Sequence, residues 1–353
     1  MNKTYLITLT PTGKFFFGGD MAFTVNNKET EYTSYIIRSN KFPQQTSLLG
    51  MLRFLILRND KDIFDTERQE IIEAKKDEAT RLIGPRSFQI SGEKNDFGVI
   101  KALHPCFLQI KKDEKWIDLT IKPKDLQFKV SFPNDCPSAV LNGKIVDIPI
   151  SDYQAKNYYR PIYQATKTKE EVEEKKIFIE SVSNGIDRDI HTGKTDDNSL
   201  FKTISYRLKE NCRFAFYAEI DMDKVVDYDG QLVSVGGDNS QFVVGIEEAN
   251  RFENDVRAKN RIVLSSPAYL TKEDLSKVKF AITETIPFKC MKTMTSSVKG
   301  YNKKSFLYDY SEKITLYTTG SIFYLNQNDM ADFIAKLEDH KDFYQIGYNH
   351  YHF

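Results

Sequence analysis

Two Gly-Gly-Asp triplets are the first residues whose spacing could support chemistry. They lie at residues 18–20 and 236–238. A glycine pair before carboxylates can form a tight turn that presents metal ligands, but two-metal chemistry requires at least two carboxylates. Met21 and Asn239 occupy the place of the second acid. We therefore interpret both triplets as structural turns.

The other reactive side chains show no spacing typical of an active site. The sequence contains no P-loop and no C-x-x-C pair among its four cysteines. No serine lies in a nucleophile elbow, and no carboxylate pair stands out as an acid–base couple. The five histidines lack the spacing of metal ligands. We expect no catalytic residue, no metal and no cofactor.

Charge is balanced overall but unevenly distributed. The chain has 50 basic and 50 acidic side chains, whereas proteins that bind nucleic acid through phosphates usually carry a positive balance. Acids are absent from residues 32–59 and 285–308, and they gather at 62–79 and 167–176. This distribution is compatible with one basic face and one acidic face, or with chance clustering on solvated loops. The basic residues within the two acid-free segments are Arg38, Lys41, Arg53, Arg58, Lys289, Lys292, Lys299, Lys303 and Lys304.

Size and composition limit the protein class. The chain has 353 residues, 40% of them hydrophobic, which exceeds the usual size of one core and favours two packed units. No apolar run reaches the ~18 residues of a membrane span, and the N-terminus does not resemble a signal peptide. Widely spaced cysteines suit a reducing compartment. We expect a soluble cytoplasmic protein without membrane contact.

The order of elements predicts an α+β fold. Leu48, Leu49, Leu52, Leu55 and Ile56 recur at helical spacing, so a helix with one core face should begin after a cap at Thr46 or Ser47. Strands followed by a helix occur in both halves, which is typical of two small sheets backed by helices. The charged stretch around 165–180 is the best candidate for the connection between them. The predicted strands are 4–10, 35–38, 213–221, 261–270 and 314–325, and the other predicted helices are 62–79 and 328–339.

The segment NGIDRDIHTGKTDDNSLF at residues 184–201 reads as a charged arm. It starts with a glycine turn and carries charges of both signs. Apolar residues then follow in a strand-like run that would fix its base. An ordinary hairpin tip without a partner is the alternative interpretation. The residues of the apolar run are Leu200, Phe201, Ile204, Tyr206 and Leu208.

This arm, together with other segments in the same order, resembles the RAMP proteins of CRISPR–Cas effector complexes. More narrowly, the chain is similar to the type III-B subunit that lies beside the large, polymerase-like subunit. The arm resembles the RAMP thumb, and PQQTSLLGMLR at 43–53 resembles the first helix with its proline-led entry. The other segments that carry the resemblance are VSVGGDNSQF at 233–242, LSSPAYL at 264–270 and TTGSIFYL at 318–325.

The resemblance implies a fold and a role. The fold would be two ferredoxin-like (RRM-like) domains, at 1–180 and 206–353, with a thumb-like arm at 181–205. The protein would be a non-catalytic subunit of an RNA-guided antiviral complex that caps the 5′ tag of the guide RNA. Its partners would be the guide RNA, the large polymerase-like subunit and a neighbouring RAMP backbone subunit.

Sixteen residues are candidates for RNA contacts under this resemblance. The start of the first helix offers free N–H groups and a dipole that favour a phosphate, although the same residues could serve only as a cap. The loop 292–306 mixes lysines with aromatic residues, as expected of a single-strand groove or equally of a disordered loop. The candidates are Lys41, Gln44, Gln45, Ser47 and Arg53 in the helix region, Arg86, then Asn184, Arg188, His191, Thr192, Lys194 and Lys202 in the arm, and Lys299, Tyr301, Lys303 and Lys304 in the loop.

Three alternatives stay open. Some RAMP proteins are endoribonucleases, for which His191 and Asp187 would be the candidates here, but the sequence offers no opposed partner for the leaving oxygen. A structural adaptor that contacts only protein would suit the zero net charge. The corresponding type III-A subunit shares the thumb and the glycine pair, and the PQQTSLLG entry favours type III-B.

Overall fold

A computed structural model describes most of the chain. The described residues are 3–19, 21–24, 34–90, 95–123, 129–131, 138–141, 144–147, 161–186, 200–223, 225–249, 260–292 and 309–353. Helices are few, in agreement with a strand-rich α+β protein. Those within the described residues are α1 (Gln45–Arg58), α2 (Lys76–Ile83), α3 (Met330–Asp339) and α4 (Lys341–Gln345).

Strands dominate the described part of the chain, and the predicted α+β class is confirmed. The strands are β1 (Lys3–Pro11), β2 (Met21–Thr24), β3 (Ser34–Arg38), β4 (Phe64–Asp65), β5 (Glu70–Ile71), β6 (Ile100–Leu103), β7 (Phe107–Lys112), β8 (Lys115–Ile121), β9 (Lys129–Ser131), β10 (Ser138–Leu141), β11 (Lys144–Asp147), β12 (Ile162–Ala165), β13 (Glu171–Glu173), β14 (Phe178–Ile186), β15 (Leu200–Leu208), β16 (Cys212–Ile220), β17 (Leu232–Ser234), β18 (Gln241–Glu248), β19 (Arg261–Leu264), β20 (Phe280–Ile282), β21 (Thr285–Phe288), β22 (Met291–Lys292), β23 (Asp309–Tyr310), β24 (Ile314–Tyr317), β25 (Ile322–Tyr324) and β26 (Tyr351–His352).

The largest sheet has nine strands and spans much of the chain. Its order is β13-β12-β8-β7-β16-β1-β18-β17, with β6 also paired to β16. Strands β1, β16 and β18 are antiparallel neighbours. Because β16 to β18 follow residue 206 and yet lie beside β1 and β7, this sheet crosses the boundary expected at residues 180–206. The stretch predicted to connect two domains instead forms the β12–β13 hairpin at the sheet's edge.

A second sheet lies in the C-terminal part, with the order β20-β25-β19-β26 and antiparallel pairs throughout. Phe333 and Leu337 of α3 are buried in the same apolar cluster as Ile262, Leu264 and Phe323 of this sheet. The amphipathic pattern of residues 328–339 correctly predicts this helix, since its apolar positions recur at helical spacing.

The base of the arm belongs to a third sheet. Strands β14 and β15 are antiparallel over nine residue pairs, and β15 lies parallel to β3 in a sheet ordered β14-β15-β3-β2. Three of the five residues that were expected to anchor the arm, Ile204, Tyr206 and Leu208, are buried in the main core, and Phe201 is partly buried. The side chain of Leu200 lies outside the described part of the structure.

Helix α1 packs one face into the main core, as its spacing predicts, with Leu48, Leu52 and Leu55 almost fully buried. Its start differs from the prediction. The N-cap residue is Gln44, and no side-chain cap bond forms. Thr46 and Ser47 are therefore not caps, because both already lie within the helix.

Three other predicted elements are corrected. Only the last residues of the helix predicted at 62–79 are α-helical, since α2 begins at Lys76. The β4–β5 hairpin precedes it, because Phe64 and Ile71 pair and are buried. The strand predicted at 261–270 ends at Leu264. The strand predicted at 314–325 is divided between two sheets, since Gly320 adopts a φ of 82° in the turn between β24 and β25.

The two glycine pairs have packing roles. A side chain on Gly19 would overlap the carbonyl of Arg38, and one on Gly236 would overlap the carbonyl of Phe16. The Gly237 N–H also donates to the Phe16 carbonyl at 2.8 Å. These close backbone approaches explain the glycines as the structural turns that we predicted. Within the described residues, no helix is both long and apolar enough to cross a membrane.

Candidate nucleic-acid interface

A cleft of about 860 Å³ separates the edge of the nine-stranded sheet from the C-terminal part of the chain. Four short segments that are distant in sequence line it together: residues 43–45, 264–267, 318–319 and Tyr348. The first three belong to the segments that carry the family resemblance in the sequence. The fold therefore brings them to one place, and we call this place the cleft.

The start of α1 forms the floor of the cleft, held there by the C-terminal segment. The backbone N–H of Gln45 donates to the Tyr348 hydroxyl at 3.2 Å, and the Gln45 side chain donates to the His104 carbonyl at 3.0 Å. Gly347, with a φ of 90°, leaves no room for a side chain beside Gln45. Burial raises the pKa of Tyr348. Its hydroxyl thus occupies the helix-terminal position that we predicted for a phosphate.

One wall of the cleft consists of two segments, around Leu264 and around Gly320, that are joined by backbone hydrogen bonds. The Gly320 N–H donates to the Leu264 carbonyl and the Leu264 N–H donates to the Ser321 carbonyl, both at 2.8 Å. Gly320 also packs against Ile121, whose Cγ2 would lie 3.1 Å from an added Cβ. The Ser266 hydroxyl accepts a hydrogen bond from the His350 N–H at 3.0 Å. Backbone hydrogen bonds therefore hold this wall in the fold.

The cleft has exposed cations beside apolar and aromatic surface. Lys289 and Lys313 are exposed at its rim, and the partly buried rings of Phe42 and Phe107 also line it. Glu284 is the acidic residue of the lining. Aromatic rings next to lysines can stack bases while the lysines meet phosphates, as in grooves that bind single strands.

Lys41 lies in the cleft but has a protein partner. Its ammonium is 2.7 Å from the Glu174 carboxylate, and both side chains are mostly buried. The ammonium also lies 5.5 Å from the centre of the Tyr206 ring. The charge of Lys41 is thus compensated inside the protein, which makes it a weaker phosphate ligand than Lys289 or Lys313.

The remaining candidates near α1 fall into two groups. Gln44 and Gln45 both line the cleft, but Gln45 is only 3% exposed and so offers little surface to a ligand. Arg53 is 9% exposed and donates to the carbonyls of Arg86 and Gly84, at 2.8 and 3.1 Å. Burial lowers the pKa of Arg53 to about 10. Gln45 and Arg53 therefore hold the fold together, and the Arg86 backbone takes part in this contact.

The arm enters the described structure only at its base. Asn184 and Lys202 are directly opposite each other in the β14–β15 pair, and both are exposed. A ligand at the base of the arm could reach both side chains, because paired residues project to the same side of a sheet. The candidates that lie outside the described residues are Arg188, His191, Thr192, Lys194, Lys299, Tyr301, Lys303 and Lys304, together with Asp187 of the nuclease alternative.

The sequence-based selection missed several residues of the cleft. Phe107, Lys313 and Thr318 line it but were not selected. Thr318 belongs to a segment that carries the resemblance, which is a signal that could have found it. Lys313 and Phe107 carry no local signal, because only the packing of distant segments brings them to the cleft.

The described part of the protein shows neither a metal-binding cluster nor a thiol activated as a nucleophile. There, no group of three or more His, Cys, Asp and Glu side chains is arranged to hold a metal ion. Burial raises the pKa of the thiols of Cys106, Cys212 and Cys290, to about 11 for Cys212. These cysteines would be poor nucleophiles, since the thiolate is the reactive form.

Comparison with known proteins gives a family match over nearly the whole chain. The family model described as CRISPR-associated protein (Cas_Cmr3) matches residues 7–353. No curated protein matches the chain.

The solved structures that match this chain include chains from two kinds of complex. A chain of the type III-B Cmr-beta complex bound to cognate target RNA is 16% identical, with a TM-score of 0.49, covering 99% of this chain and 96% of that chain. A chain of the same complex with target RNA and AMPPnP is 15% identical, with a TM-score of 0.48 and coverages of 98% and 95%. A chain of the Csm3–Csm4 subcomplex from a type III-A CRISPR–Cas interference complex is 14% identical, with a TM-score of 0.36 and coverages of 91% and 94%.

Proposed function

Because the chain belongs to the Cas_Cmr3 family of CRISPR-associated proteins, we propose that it is a guide-RNA-binding subunit of a type III-B CRISPR effector complex. In this role it caps the 5′ tag of the guide and docks on the large polymerase-like subunit, beside a RAMP backbone subunit. The observation that carries the proposal is the convergence of residues 43–45, 264–267 and 318–319 on one cleft with exposed lysines.

The cleft has the chemistry that a single-stranded tag requires. Unpaired bases can stack on accessible ring surface, here the partly buried rings of Phe42 and Phe107, while Lys289 and Lys313 neutralise phosphates. The Thr318 hydroxyl is a donor and acceptor of the kind that reads sugar hydroxyls and base edges. Gln45 and Arg53 are left out of this role because they are buried.

The arm is proposed as a second contact for the guide. Asn184 and Lys202 at its base supply an amide and a cation on one side of a hairpin. Arg188, His191, Thr192 and Lys194 remain predicted contacts. A tag held between the cleft and the arm would be bound by shape and charge, and base pairing by the guide would select the target.

We propose a binding role without catalysis. Cleavage of RNA by a general acid–base mechanism needs two opposed groups near a 2′-hydroxyl. The experiment below includes a check for cleavage, because the nuclease alternative depends on His191 and Asp187.

The fold is proposed to be two ferredoxin-like units. In that motif the first and third strands are central and the second and fourth lie at the edges. The order β7-β16-β1-β18 fits with β1 as the first strand, and β20-β25-β19-β26 fits with β19 as the first strand. The first unit would then extend to β18, with the arm as an insertion, and the second would begin at β19.

The deciding experiment compares guide RNA with and without its 5′ tag. The protein, co-purified with its large subunit, is assayed for binding with wild-type sequence and with Lys289→Glu and Lys313→Glu combined. We expect tighter binding of the tagged guide, loss of that preference in the variant and intact RNA. A second variant with Arg188, His191 and Lys194 replaced by alanine tests the arm in the same way.

A control variant separates local charge from net charge. Lys14→Glu combined with Lys272→Glu makes the same change in charge at exposed positions that do not line the cleft. This control should keep the preference for the tag. Equal binding of both guides by every variant would favour the protein-only adaptor, and RNA cleavage lost on replacing His191 would favour the nuclease.

A further inference from the structure

A second depression, which we call the groove, runs along the outer side of α1. It has a volume of about 460 Å³ and lies between α1 and the β22–β23 pair. On α1 it follows Thr46, Ser47, Gly50, Phe54 and Leu57, which recur at helical spacing. These positions span about 17 Å along the axis, or roughly three helical turns.

The groove exposes large apolar side chains. Phe54 is 38% exposed, Met291 is 41% exposed and Tyr310 is 45% exposed. All three line the groove, one on α1 and two on the opposite wall. A single exposed apolar side chain is ordinary, but a contiguous patch around a groove is typical of an interaction site.

Gly50 is a glycine that the described fold does not explain. It lies inside a 14-residue helix, where glycine is less stable than alanine. It is exposed, its φ is not positive, and an added Cβ would meet no described atom within 4 Å. An absent side chain at the floor of an apolar groove allows another chain to approach the helix closely.

The charges around the groove are positive. None of the described residues that line it is acidic. Lys289 lies 4.7 Å from the centre of the Tyr310 ring, and Arg58 lies 5.8 Å from the centre of the Phe54 ring. Lys289 has no carboxylate partner within the described part of the chain. The groove thus combines an apolar floor with a cationic rim.

We propose that the groove is a docking site for an amphipathic helix of a partner protein, with an apolar face on α1 and acidic residues along its flanks. Helices in grooves are anchored by apolar residues at i, i+3, i+4 and i+7, which span about two turns and fit within a groove of roughly three turns. The cationic rim selects acidic flanks through charge complementarity. A protein helix suits the groove better than RNA, since its floor offers apolar surface and a missing side chain but few polar groups.

The groove and the cleft share Lys289, but the peptide test can be separated from the guide-RNA role because Gly50, Phe54 and Met291 do not line the cleft. The probe is a fluorescein-labelled helical peptide of about five turns, or ~18 residues, with leucine in the i, i+3, i+4, i+7 pattern and glutamate on the flanks. A matched peptide carries lysine in place of glutamate. Fluorescence anisotropy with the full chain measures both affinities. We expect the glutamate peptide to bind at least about tenfold more tightly than the lysine peptide.

Variants of the groove make the test specific. Gly50→Leu should weaken binding of the glutamate peptide at least about tenfold, because a large side chain fills the floor. Gly50→Ala should raise Tm of the free protein but lower its affinity for the glutamate peptide. A loss of affinity in this variant could therefore not be explained by a loss of stability. Met291→Glu, at an exposed position, should reduce the preference for the glutamate peptide, because it places a negative charge in the groove.

Several results would overturn the docking proposal. Similar or absent binding of the two peptides, or a Kd unaffected by Gly50→Leu and Met291→Glu, would overturn the proposal. Guide-RNA binding should stay unchanged in Gly50→Leu. A loss of RNA binding in that variant would assign the groove to RNA and would likewise overturn it, while failure of the guide-RNA role alone would leave the peptide result intact.

Discussion

The Tyr348 hydroxyl accepts a hydrogen bond from the backbone N–H of Gln45, 303 positions away in sequence, over 3.2 Å. The first turn of a helix leaves its N–H groups without partners inside the helix. At α1 no side chain of the N-cap residue supplies such a partner. The C-terminal segment therefore completes the start of α1 and fixes the floor of the cleft.

Tyr348→Phe should lower the free energy of unfolding by about 1–2 kcal/mol, because a buried N–H loses its acceptor. Urea denaturation monitored by circular dichroism gives the value. Tyr351→Phe is the matched control, since its hydroxyl bonds to Glu338 at an exposed site. We expect that control to change stability by less than about 0.5 kcal/mol. Equal losses in the two variants would contradict the capping role of Tyr348.

Gly347→Ala should destabilise the protein by about 2 kcal/mol or more. The residue has a φ of 90°, and an added Cβ would overlap Gln45 Nε2 and lie 2.9 Å from the His104 carbonyl. Thermal denaturation measures the effect. At Gly13 an added Cβ meets nothing described within 4 Å and φ is not positive. Gly13→Ala should therefore be neutral or slightly stabilising, and a comparable loss there would argue against the steric explanation.

Elements with a long and regular pattern were predictable from sequence. Strand β16 buries alternate residues over most of its length, and helix α3 buries Met330, Phe333 and Leu337 at helical spacing. Strand β1 buries the five consecutive residues from Tyr5 to Leu9, and its β-forming residue types identify it as a strand. Residues 62–79 misled the prediction because charged helix-formers surround Phe64 and Ile71, whose pairing across a short hairpin depends on burial in the core. Propensity yields to tertiary packing in such cases.

The candidate site was predictable as segments but not as a cleft. The segments around Gln44, Ser266 and Thr318 could be identified singly by their resemblance to a family. Their convergence depends on pairings such as Leu264 with Ser321, which no local pattern contains. Lys41 shows the same limit, because Glu174, the partner that compensates its charge, is 133 positions away. Charge counting along the chain cannot separate a lysine that is free for a ligand from one in an ion pair.

The contribution of Asp274 to stability should depend on pH. Burial raises its pKa, but hydrogen bonds from the Thr271 N–H and hydroxyl and the proximity of His340 outweigh this and hold the pKa below its usual value. A carboxyl with a lowered pKa in the folded state stabilises the protein above its unfolded pKa of about 3.9 and loses that effect as pH falls through the folded value. Asp274→Asn should therefore lower Tm at pH 7.

The difference in Tm between wild type and Asp274→Asn should shrink as the pH falls below the unfolded pKa of about 3.9 and through the lower folded-state pKa, because the wild-type carboxyl then becomes protonated in both states. Differential scanning calorimetry at several pH values measures it. Asp339→Asn is a control at an exposed residue for which no such contacts are described, and its Tm difference should stay small throughout. A difference for Asp274→Asn that is constant with pH would show that the carboxylate charge is not its source.

The salt dependence of guide-RNA binding should report how many cleft lysines contact phosphates. Each phosphate contact with a single strand contributes about −0.7 to the slope of log K against log salt concentration. If Lys289 and Lys313 each meet one phosphate, replacing both by glutamine should reduce the slope by about 1.4. Fluorescence anisotropy with tagged guide RNA over a range of salt concentrations gives the slopes. Lys41→Gln should change the slope much less, because that ammonium already pairs with Glu174. An unchanged slope after removal of Lys289 and Lys313 would place the phosphates outside the cleft and leave the arm as the principal RNA contact.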